Sequence, residues 1–231
     1  MLAAGRGERM RPLTDHTPKP MLEVGGRPLI EWHLLALAAA GVREVVVNTA
    51  WLEEQIVAAL GDGARFGLSI RWSHEGRDHG GALETAGAIA TALPLLVDSR
   101  TDVFWIVSAD IHAPGFGFAA AAVARFRACE ADAHLWMVPN PAYHQEGDFG
   151  IDDDGFALAG RPGADGRRWT YANLALARPS LVEGLVAGVK SPLRPWFERA
   201  IARRRLTAER WLGPWANVGT PQQLDDLRRH V

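Results

Sequence analysis

A chain of 231 residues can bury a sizeable core and is near the size of one large domain. Hydrophobic residues make up 48% and charged residues 23% of the chain, which excludes a disordered or fibrous protein. The 25 Lys and Arg residues and 27 Asp and Glu residues leave a formal net charge of −2. This balance provides no global attraction to nucleic acid or to an anionic membrane, so any anion must be bound by a local group of residues.

Cysteine content and hydropathy bear on the compartment. Cys129 is the single cysteine, which excludes an intramolecular disulfide framework and a cysteine-based zinc cluster. No apolar run approaches the roughly 20 residues that span a bilayer, and no signal-peptide pattern opens the chain. We therefore expect a cytoplasmic protein with no membrane partner and no nucleic-acid partner.

Helix and strand patterns alternate over the first 138 residues. Pro28 opens an apolar stretch that Gly41 closes, as at the two ends of a helix, and the β-branched run Val45-Val46-Val47 follows as a strand. The predicted helices cover 28–40, 51–60, 85–93, 118–130, 193–205 and 220–230, and the predicted strands cover 42–48, 68–73, 102–108, 133–138 and 168–177. The alternation predicts an α/β fold in which short parallel strands are covered by helices on both faces.

The pattern becomes mixed after Pro139. Asp153-Asp154-Gly155 lies between two apolar stretches and predicts a hairpin, and the segment 211–218 is expected to be extended. Thr220 and Gln223 fit a capping box at the start of the last helix. No linker interrupts the chain, so we expect a single domain over 1–231.

The amino-terminal loop carries the strongest chemical signal. Residues 2–20 combine small residues with several cations in one short stretch, LAAGRGERMRPLT followed by PKP. Small residues let backbone N–H groups approach an anion, and Arg and Lys neutralise phosphate oxygens. The composition indicates a phosphate cradle, with a solvated basic turn as the alternative; the sequence lacks the Gly-Lys-Ser/Thr of a Walker loop.

This loop resembles the signature of the sugar-1-phosphate nucleotidyltransferases. Pro28-Leu29-Ile30 and the run Leu83 to Gly87 follow in the order found in that family. Asn140-Pro141, Gly147 to Gly150 and Val218 to Pro221 resemble the branch that forms UDP-N-acetylmuramate. The resemblance implies a Rossmann-like three-layer sandwich with a mostly parallel mixed sheet. It also implies a nucleotide-binding half over 1–138 and a sugar-binding half over 139–231.

The resemblance also implies roles for individual residues. Arg9 would hold the leaving phosphates, Lys19 the α-phosphate or the sugar phosphate, and Asp110, directly after a predicted strand, would bind Mg²⁺. Asn217 stands where the family has a second metal-binding aspartate. The implied nucleotide-binding residues are Leu2, Ala3, Ala4, Gly5, Arg6, Gly7, Glu75, Glu84 and Thr85, and the implied sugar-binding residues are Asn140, Gly147, Asp148 and Asn173.

Four departures from the family pattern matter. Ala109 replaces a glycine, and Asn217 offers a carbonyl oxygen without a negative charge. Residues 77–82 lengthen the base-recognition region, which we expect to be a glycine-bearing loop. Only Met1 and Leu2 remain of the strand that precedes the loop in the family. Either this strand is nearly absent and leaves a groove between its neighbours, or the natural start lies upstream, which is the alternative that we expect.

The implied activity is transfer of a nucleotidyl group from a nucleoside triphosphate to a sugar 1-phosphate, with Mg²⁺ as cofactor and pyrophosphate as the second product. UTP and N-acetylmuramate 1-phosphate, in a step of peptidoglycan recycling, are the expected substrates. Thymidylyl or guanylyl transfer to a hexose 1-phosphate is one alternative. A weakly active nucleotide-sugar-binding module, suggested by Asn217 and the short amino terminus, is another.

Overall fold

The computed structural model describes residues 1–98 and 102–231. The strands are β1 (Glu23–Val24), β2 (Arg27–Pro28), β3 (Glu44–Thr49), β4 (Ser69–His74), β5 (Phe104–Val107), β6 (Ile111–His112), β7 (Ala133–Val138), β8 (Phe149–Ile151), β9 (Ala157–Ala159), β10 (Thr170–Ala177), β11 (Leu206–Arg210) and β12 (Ala216–Asn217). The helices are α1 (Leu29–Ala39), α2 (Glu53–Leu60), α3 (Glu75–His79), α4 (Glu84–Leu96), α5 (Ala120–Arg127), α6 (Arg194–Ala202) and α7 (Pro221–Arg228).

The central sheet is assembled from two parts joined at Leu2. Strands β3 and β4 pair in parallel, while β10 pairs antiparallel with both β5 and β7, and β11 pairs parallel with β7. Leu2 forms parallel bridges to Asn48 on β3 and to Ser108 directly after β5. The resulting order is β4-β3-Leu2-β5-β10-β7-β11, a mixed sheet of the expected kind.

Each face of this sheet carries its own hydrophobic core, because successive side chains of a strand point to opposite faces. On β7, Trp136 and Val138 belong to one core, whereas Leu135 and Met137 belong to the other. Residues of α1, α2 and α5 complete the first core, and residues of α4 and α6 complete the second. The three-layer α/β architecture is thereby confirmed.

A smaller third core fixes the amino-terminal loop against the end of the chain. It comprises Met10, Leu22, Val24, Leu29, Val218 and Leu224, all buried. At the start of α7, Thr220 Oγ1 accepts a hydrogen bond from the Gln223 backbone N–H at 3.3 Å, as the capping pattern predicts. The Gln223 side chain accepts from the Gly219 N–H at 2.7 Å, so the cap reaches one residue further back than in a standard capping box.

Some predicted elements differ from the structure. The insertion 77–82, expected to be a loop, begins within helix α3, and Gly80 ends that helix. The extended segment 211–218 contains only the two-residue strand β12, which pairs with β6. The hairpin of β1 and β2 was not predicted, since strands of two residues have too little sequence for a period to be read.

A groove of about 1280 Å³ separates β3 from β5 beyond Leu2. Its lining is largely apolar and includes Val45 and Val46 on one side and Phe104 and Trp105 on the other. The Met1 amino group lies in this region and donates a hydrogen bond to the Val46 carbonyl at 2.8 Å. Burial lowers the pKa of this amino group from 8.0 to about 5.

In a protein that begins at Met1, this buried amino group makes the stability depend on pH. Between its folded pKa of about 5 and its unfolded pKa of 8.0, the unfolded chain binds more protons, so the free energy of unfolding falls as the pH decreases from 8. We expect the amine to contribute a loss of about 2 kcal/mol between pH 8 and pH 6.5. Urea titrations at these two pH values measure it.

A variant with five apolar residues placed before Met1 is the control. The buried amino group is then replaced by a peptide bond, and apolar surface of the groove is covered. This variant is expected to melt at a higher temperature and to lose the amine's share of the pH dependence. The same melting temperature in both chains would show that covering the apolar surface of the groove adds no stability. Burial lowers the pKa of His33 to about 4, which is below this pH window, and His33 is present in both chains.

No helix among the residues from 1 to 98 and from 102 to 231 has the length and apolar character needed to cross a membrane.

Candidate active site

The amino-terminal loop is held in shape by hydrogen bonds that the sequence did not reveal. Thr14 Oγ1 donates to the Gly7 carbonyl at 2.8 Å, and the Trp51 indole N–H donates to the Thr14 carbonyl at 2.8 Å. Gly7 has a φ of 67°, and a Cβ there would lie 3.0 Å from Thr14 Cγ2 and 3.3 Å from Lys19 Cβ. Only glycine fits this backbone and this space without strain.

Lys19 and Asp110 form an ion pair at the centre of the site. Lys19 is 8% exposed, and its Nζ lies 2.5 Å from Asp110 Oδ2. Asp110 stands two residues beyond Ser108, at the carboxyl end of β5, where open α/β sheets place ligand-contacting residues. The His33 ring lies 2.8 Å from the Ile111 carbonyl through Nε2 and so supports the backbone next to Asp110.

A cavity of about 710 Å³ opens over this ion pair. It contains Lys19, Asp110 and seven of the predicted nucleotide-binding residues: Leu2, Ala3, Ala4, Gly5, Glu75, Glu84 and Thr85. Arg6 lies to one side, with its guanidinium 4.2 Å from the Trp51 ring centroid. The combination of small residues, one ammonium group and carboxylates suits a site that binds a polyanion together with a metal cation.

Asn48 lines the same cavity and was not predicted. Its Oδ1 accepts from the Ala3 N–H at 2.9 Å, and its Nδ2 donates to Glu75 Oε1 at 2.6 Å. Asn48 thus connects the glycine-rich loop to Glu75. The available signal was its position at the end of the predicted strand 42–48, the same argument that identified Asp110.

Glu75 is fully buried and organises the far wall of the cavity. Besides Asn48, it accepts a hydrogen bond from the Leu83 N–H at 2.8 Å. Burial raises the pKa of this carboxyl group above its ordinary value, although the two hydrogen bonds act in the opposite direction. Because both oxygens are occupied, the structure gives Glu75 the role of holding the turn that leads to Glu84 and Thr85.

Arg9 and Asn217 are not among the residues that line this first cavity. Arg9 is exposed and lies beside Gly219. Asn217 is opposite Ile111 in the β6–β12 pair, and the neighbouring Val218 N–H donates to the Asp110 carbonyl at 3.0 Å. Asn217 Oδ1 is buried and has no hydrogen-bond partner among the described residues.

Of the two predicted metal ligands, Asp110 therefore directly precedes β6, and Asn217 lies on β12, the strand that pairs with β6. The chain from 1 to 98 and from 102 to 231 holds no cluster of three His, Cys, Asp or Glu side chains that could bind a metal by itself. One carboxylate with a neighbouring amide oxygen suits Mg²⁺, which completes its coordination with water and phosphate oxygens. The observation that supports a cation here is the Asn217 side-chain oxygen, which has no hydrogen-bond partner among the described residues.

A second cavity of about 530 Å³ adjoins the first. The two share Leu2, Thr85 and Ser108, and the second adds Asp148 and Asn173 from the predicted sugar-binding residues. Its remaining lining residues are Phe149, Tyr171, Leu193, Arg194 and Phe197.

Asn140 and Gly147 are not among the residues that line this second cavity. Asn140 accepts a hydrogen bond from Thr170 Oγ1 at 2.9 Å and donates to the Gln145 and Arg168 carbonyls. Gly147 packs against it so closely that a Cβ would lie 2.7 Å from Asn140 Oδ1. The structure gives both residues a part in shaping the loop that carries Asp148.

Comparisons with known proteins agree with this geometry. The family model described as nucleotidyl transferase matches residues 1–153. The chain is 42% identical over 228 residues to N-acetylmuramate alpha-1-phosphate uridylyltransferase of Neisseria meningitidis serogroup B, covering 99% of this chain and 95% of that protein. It is 32% identical to the protein of the same name from Caulobacter vibrioides, covering 96% of this chain and 91% of that protein.

A solved structure shows the same fold. A Bacillus anthracis protein assigned as a glucose-1-phosphate thymidylyltransferase, crystallised in complex with sucrose, superposes with a TM-score of 0.81 at 19% identity. The alignment covers 99% of this chain and 92% of that chain.

Proposed function

Because the chain belongs to the nucleotidyl transferase family, we propose that it transfers the uridylyl group of UTP to N-acetylmuramate 1-phosphate and releases pyrophosphate. The supporting observation is the pair of adjoining cavities, one containing the Lys19–Asp110 pair and the other the predicted sugar-binding residues. A transferase that joins two phosphorylated molecules needs two such binding sites with a common wall.

In the proposed reaction, an oxygen of the sugar phosphate attacks the α-phosphorus of the triphosphate. The bond from that phosphorus to the bridging oxygen breaks, and pyrophosphate leaves with the electron pair. No covalent enzyme intermediate is required, so catalysis depends on alignment of two anions and on charge neutralisation. Lys19 is a buried cation in the lining of the first cavity, where the small residues Ala3, Ala4 and Gly5 would let the phosphates approach the backbone.

We propose Mg²⁺ as the cofactor, held by Asp110 and by the Asn217 side-chain oxygen. When bound, the ion supplies positive charge that offsets the charge of the phosphate oxygens. Lys19, whose ammonium group contacts Asp110 in this structure, would neutralise a substrate phosphate beside that ion. Arg9, which lies beside Gly219 and outside the lining of the first cavity, is proposed to hold the leaving pyrophosphate.

Replacement of Asn217 by aspartate is expected to tighten metal binding. The substitution changes one terminal group and adds a negative charge at an oxygen that now has no partner. We expect the magnesium concentration for half-maximal activity to fall about tenfold. Gln145→Glu, which adds the same charge on an exposed loop, is the control. A magnesium dependence equal to that of the unmodified protein would remove Asn217 from the metal site.

A panel assay tests the proposed function. Pyrophosphate release is measured with UTP, dTTP and GTP against N-acetylmuramate, N-acetylglucosamine and glucose 1-phosphates. We expect the highest kcat/KM for UTP with N-acetylmuramate 1-phosphate. A preference for dTTP or GTP with a hexose 1-phosphate would support the alternative transferase activity. Background release with retained nucleotide binding would support a binding module, an alternative that Asn217 favours.

We further propose that residues 1–138 supply most of the nucleotide cavity and residues 139–231 most of the sugar cavity. Both halves contribute strands to one sheet, with β10 inserted between β5 and β7. The proposed substrates place the reaction in the cytoplasm, as a step in the recycling of peptidoglycan sugars.

A further inference from the structure

Arg194 is the cation of the sugar cavity. It is the first residue of α6, and among the described residues that line this cavity no other is Arg or Lys. The guanidinium carbon lies 5.5 Å from the Phe149 ring centroid, and the side chain is 52% exposed. The cation therefore sits at the cavity wall and remains in contact with solvent.

The two terminal nitrogens of Arg194 donate no hydrogen bond to the described residues, although Nη1 forms a long ion pair with Asp148. Nε donates to Glu198 Oε1 at 3.0 Å, but the described residues accept no hydrogen bond from Nη1 or Nη2. Nη1 lies 3.8 Å from Asp148 Oδ1, beyond hydrogen-bond distance. Asp148 is engaged elsewhere: its Oδ2 accepts from the Tyr171 N–H at 2.8 Å, and its Oδ1 lies 3.2 Å from His144 Nε2.

Tyr171 supplies an independent sign of a polar ligand in the same cavity. Its hydroxyl group is buried and has no hydrogen-bond partner among the described residues. Burial, and to a smaller extent the Asp148 carboxylate, raise the pKa of Tyr171, so the hydroxyl remains a donor. A buried donor without a partner is costly, and a bound ligand oxygen would satisfy it.

The rest of the lining fits a sugar. The Tyr171 and Phe197 rings meet edge to face with centroids 5.4 Å apart, and Phe149 lies 6.2 Å from Phe197. These rings provide an apolar surface, while Tyr171, Asn173 and Arg194 provide polar groups at its edge. Such a combination of apolar walls with few polar groups is typical of small-molecule sites.

We infer that Arg194 selects a sugar 1-phosphate that carries a carboxylate on its ring substituent, by binding that carboxylate through Nη1 and Nη2. The inference rests on the proposed function and identifies the residue that distinguishes N-acetylmuramate from the same sugar without its acidic side group. A planar guanidinium whose two terminal nitrogens donate no hydrogen bond to the described residues matches the two oxygens of a carboxylate. An uncharged sugar offers no negative charge to the Arg194 guanidinium. The Asp148 carboxylate repels an anionic substituent and therefore cannot select one.

The test compares two substrates in two proteins. kcat/KM is measured with UTP for N-acetylmuramate 1-phosphate and N-acetylglucosamine 1-phosphate, in the unmodified protein and in Arg194→Ala. We expect kcat/KM for the acidic sugar to fall about 10- to 100-fold, mainly through KM, since a charged hydrogen bond contributes only to substrate binding. The value for the uncharged sugar should change less than about threefold.

Two further variants separate charge recognition from a structural effect. Arg194→Lys keeps the charge and should recover part of the preference for the acidic sugar. Glu198→Gln removes the partner of Nε and leaves Nη1 and Nη2 in place, so the preference should be maintained or increased. Neither change alters the Lys19–Asp110 site.

The outcomes are distinguishable. Equal losses for both sugars in Arg194→Ala, or an unchanged preference, would overturn the inference while the proposed function stands. If the unmodified protein transfers a nucleotide to neither sugar, the proposed function is wrong and the inference falls with it.

Discussion

Replacement of Lys19 by alanine is expected to lower kcat/KM for nucleotidyl transfer by about 10²- to 10³-fold, the usual effect of removing one group that stabilises transition-state charge. The Lys19 ammonium is buried beside Asp110, at the floor of the cavity that the glycine-rich loop borders. In Lys19→Ala, water can fill the space of the ammonium group but supplies no positive charge. Initial rates of pyrophosphate release at saturating magnesium measure the effect.

The matched control is Arg11→Ala. Arg11 belongs to the same loop but is exposed and pairs with Asp15 at 2.7 Å, away from the cavity. The control should keep nearly full activity. Lys19→Ala should keep the fold, since Asp110 is one-third exposed and can be hydrated. A melting temperature close to that of the unmodified protein, together with full activity, would end the assignment of Lys19 to catalysis.

Replacement of Asp110 by asparagine is the second change with a large expected effect. The side chain keeps its size and loses its charge, so we expect the metal to bind weakly and kcat to fall by about 10³-fold or more. The substitution also releases Lys19 from its ion pair and removes a negative charge facing the phosphates. UTP should therefore bind more tightly than to the unmodified protein when magnesium is absent.

These two effects have opposite signs and are measured separately. Steady-state rates give the loss of turnover, and calorimetric titration with UTP in a chelating buffer gives the affinity. Asp225→Asn, an exposed substitution on α7, should change neither quantity. Unchanged turnover in Asp110→Asn would exclude this carboxylate from the reaction. Weaker metal-free binding of UTP would contradict the role of Asp110 as the group that masks Lys19.

The fold was predictable where one element is long enough to show its period. The predicted strand 133–138 coincides with β7, and Val45-Val46-Val47 lies within β3. Strands of two residues, such as β12, contain less than one full repeat of the alternating pattern and gave no reliable boundary. Helix α3 was missed because its five residues, with Gly76 among them, have weak helix propensity and are held by tertiary contacts.

The site was predictable where a residue's place in the sheet decides its role. Asp110 follows β5, and parallel strands direct such residues to one edge, so its meeting with the loop residue Lys19 could be expected. Asn140 lies in a turn, where the sequence does not distinguish a side chain that faces a ligand from one that supports the backbone. Its hydrogen bond with Thr170 depends on residues 30 positions apart, which no local pattern contains.

The shared wall of the two cavities has a consequence for the regulation of the reaction. Leu2, Thr85 and Ser108 border both cavities, so no residue layer separates the two cavities. In the proposed reaction, the nucleotide sugar formed at this junction would occupy both cavities until it dissociates. We therefore expect an accumulated product to compete with each of the two substrates.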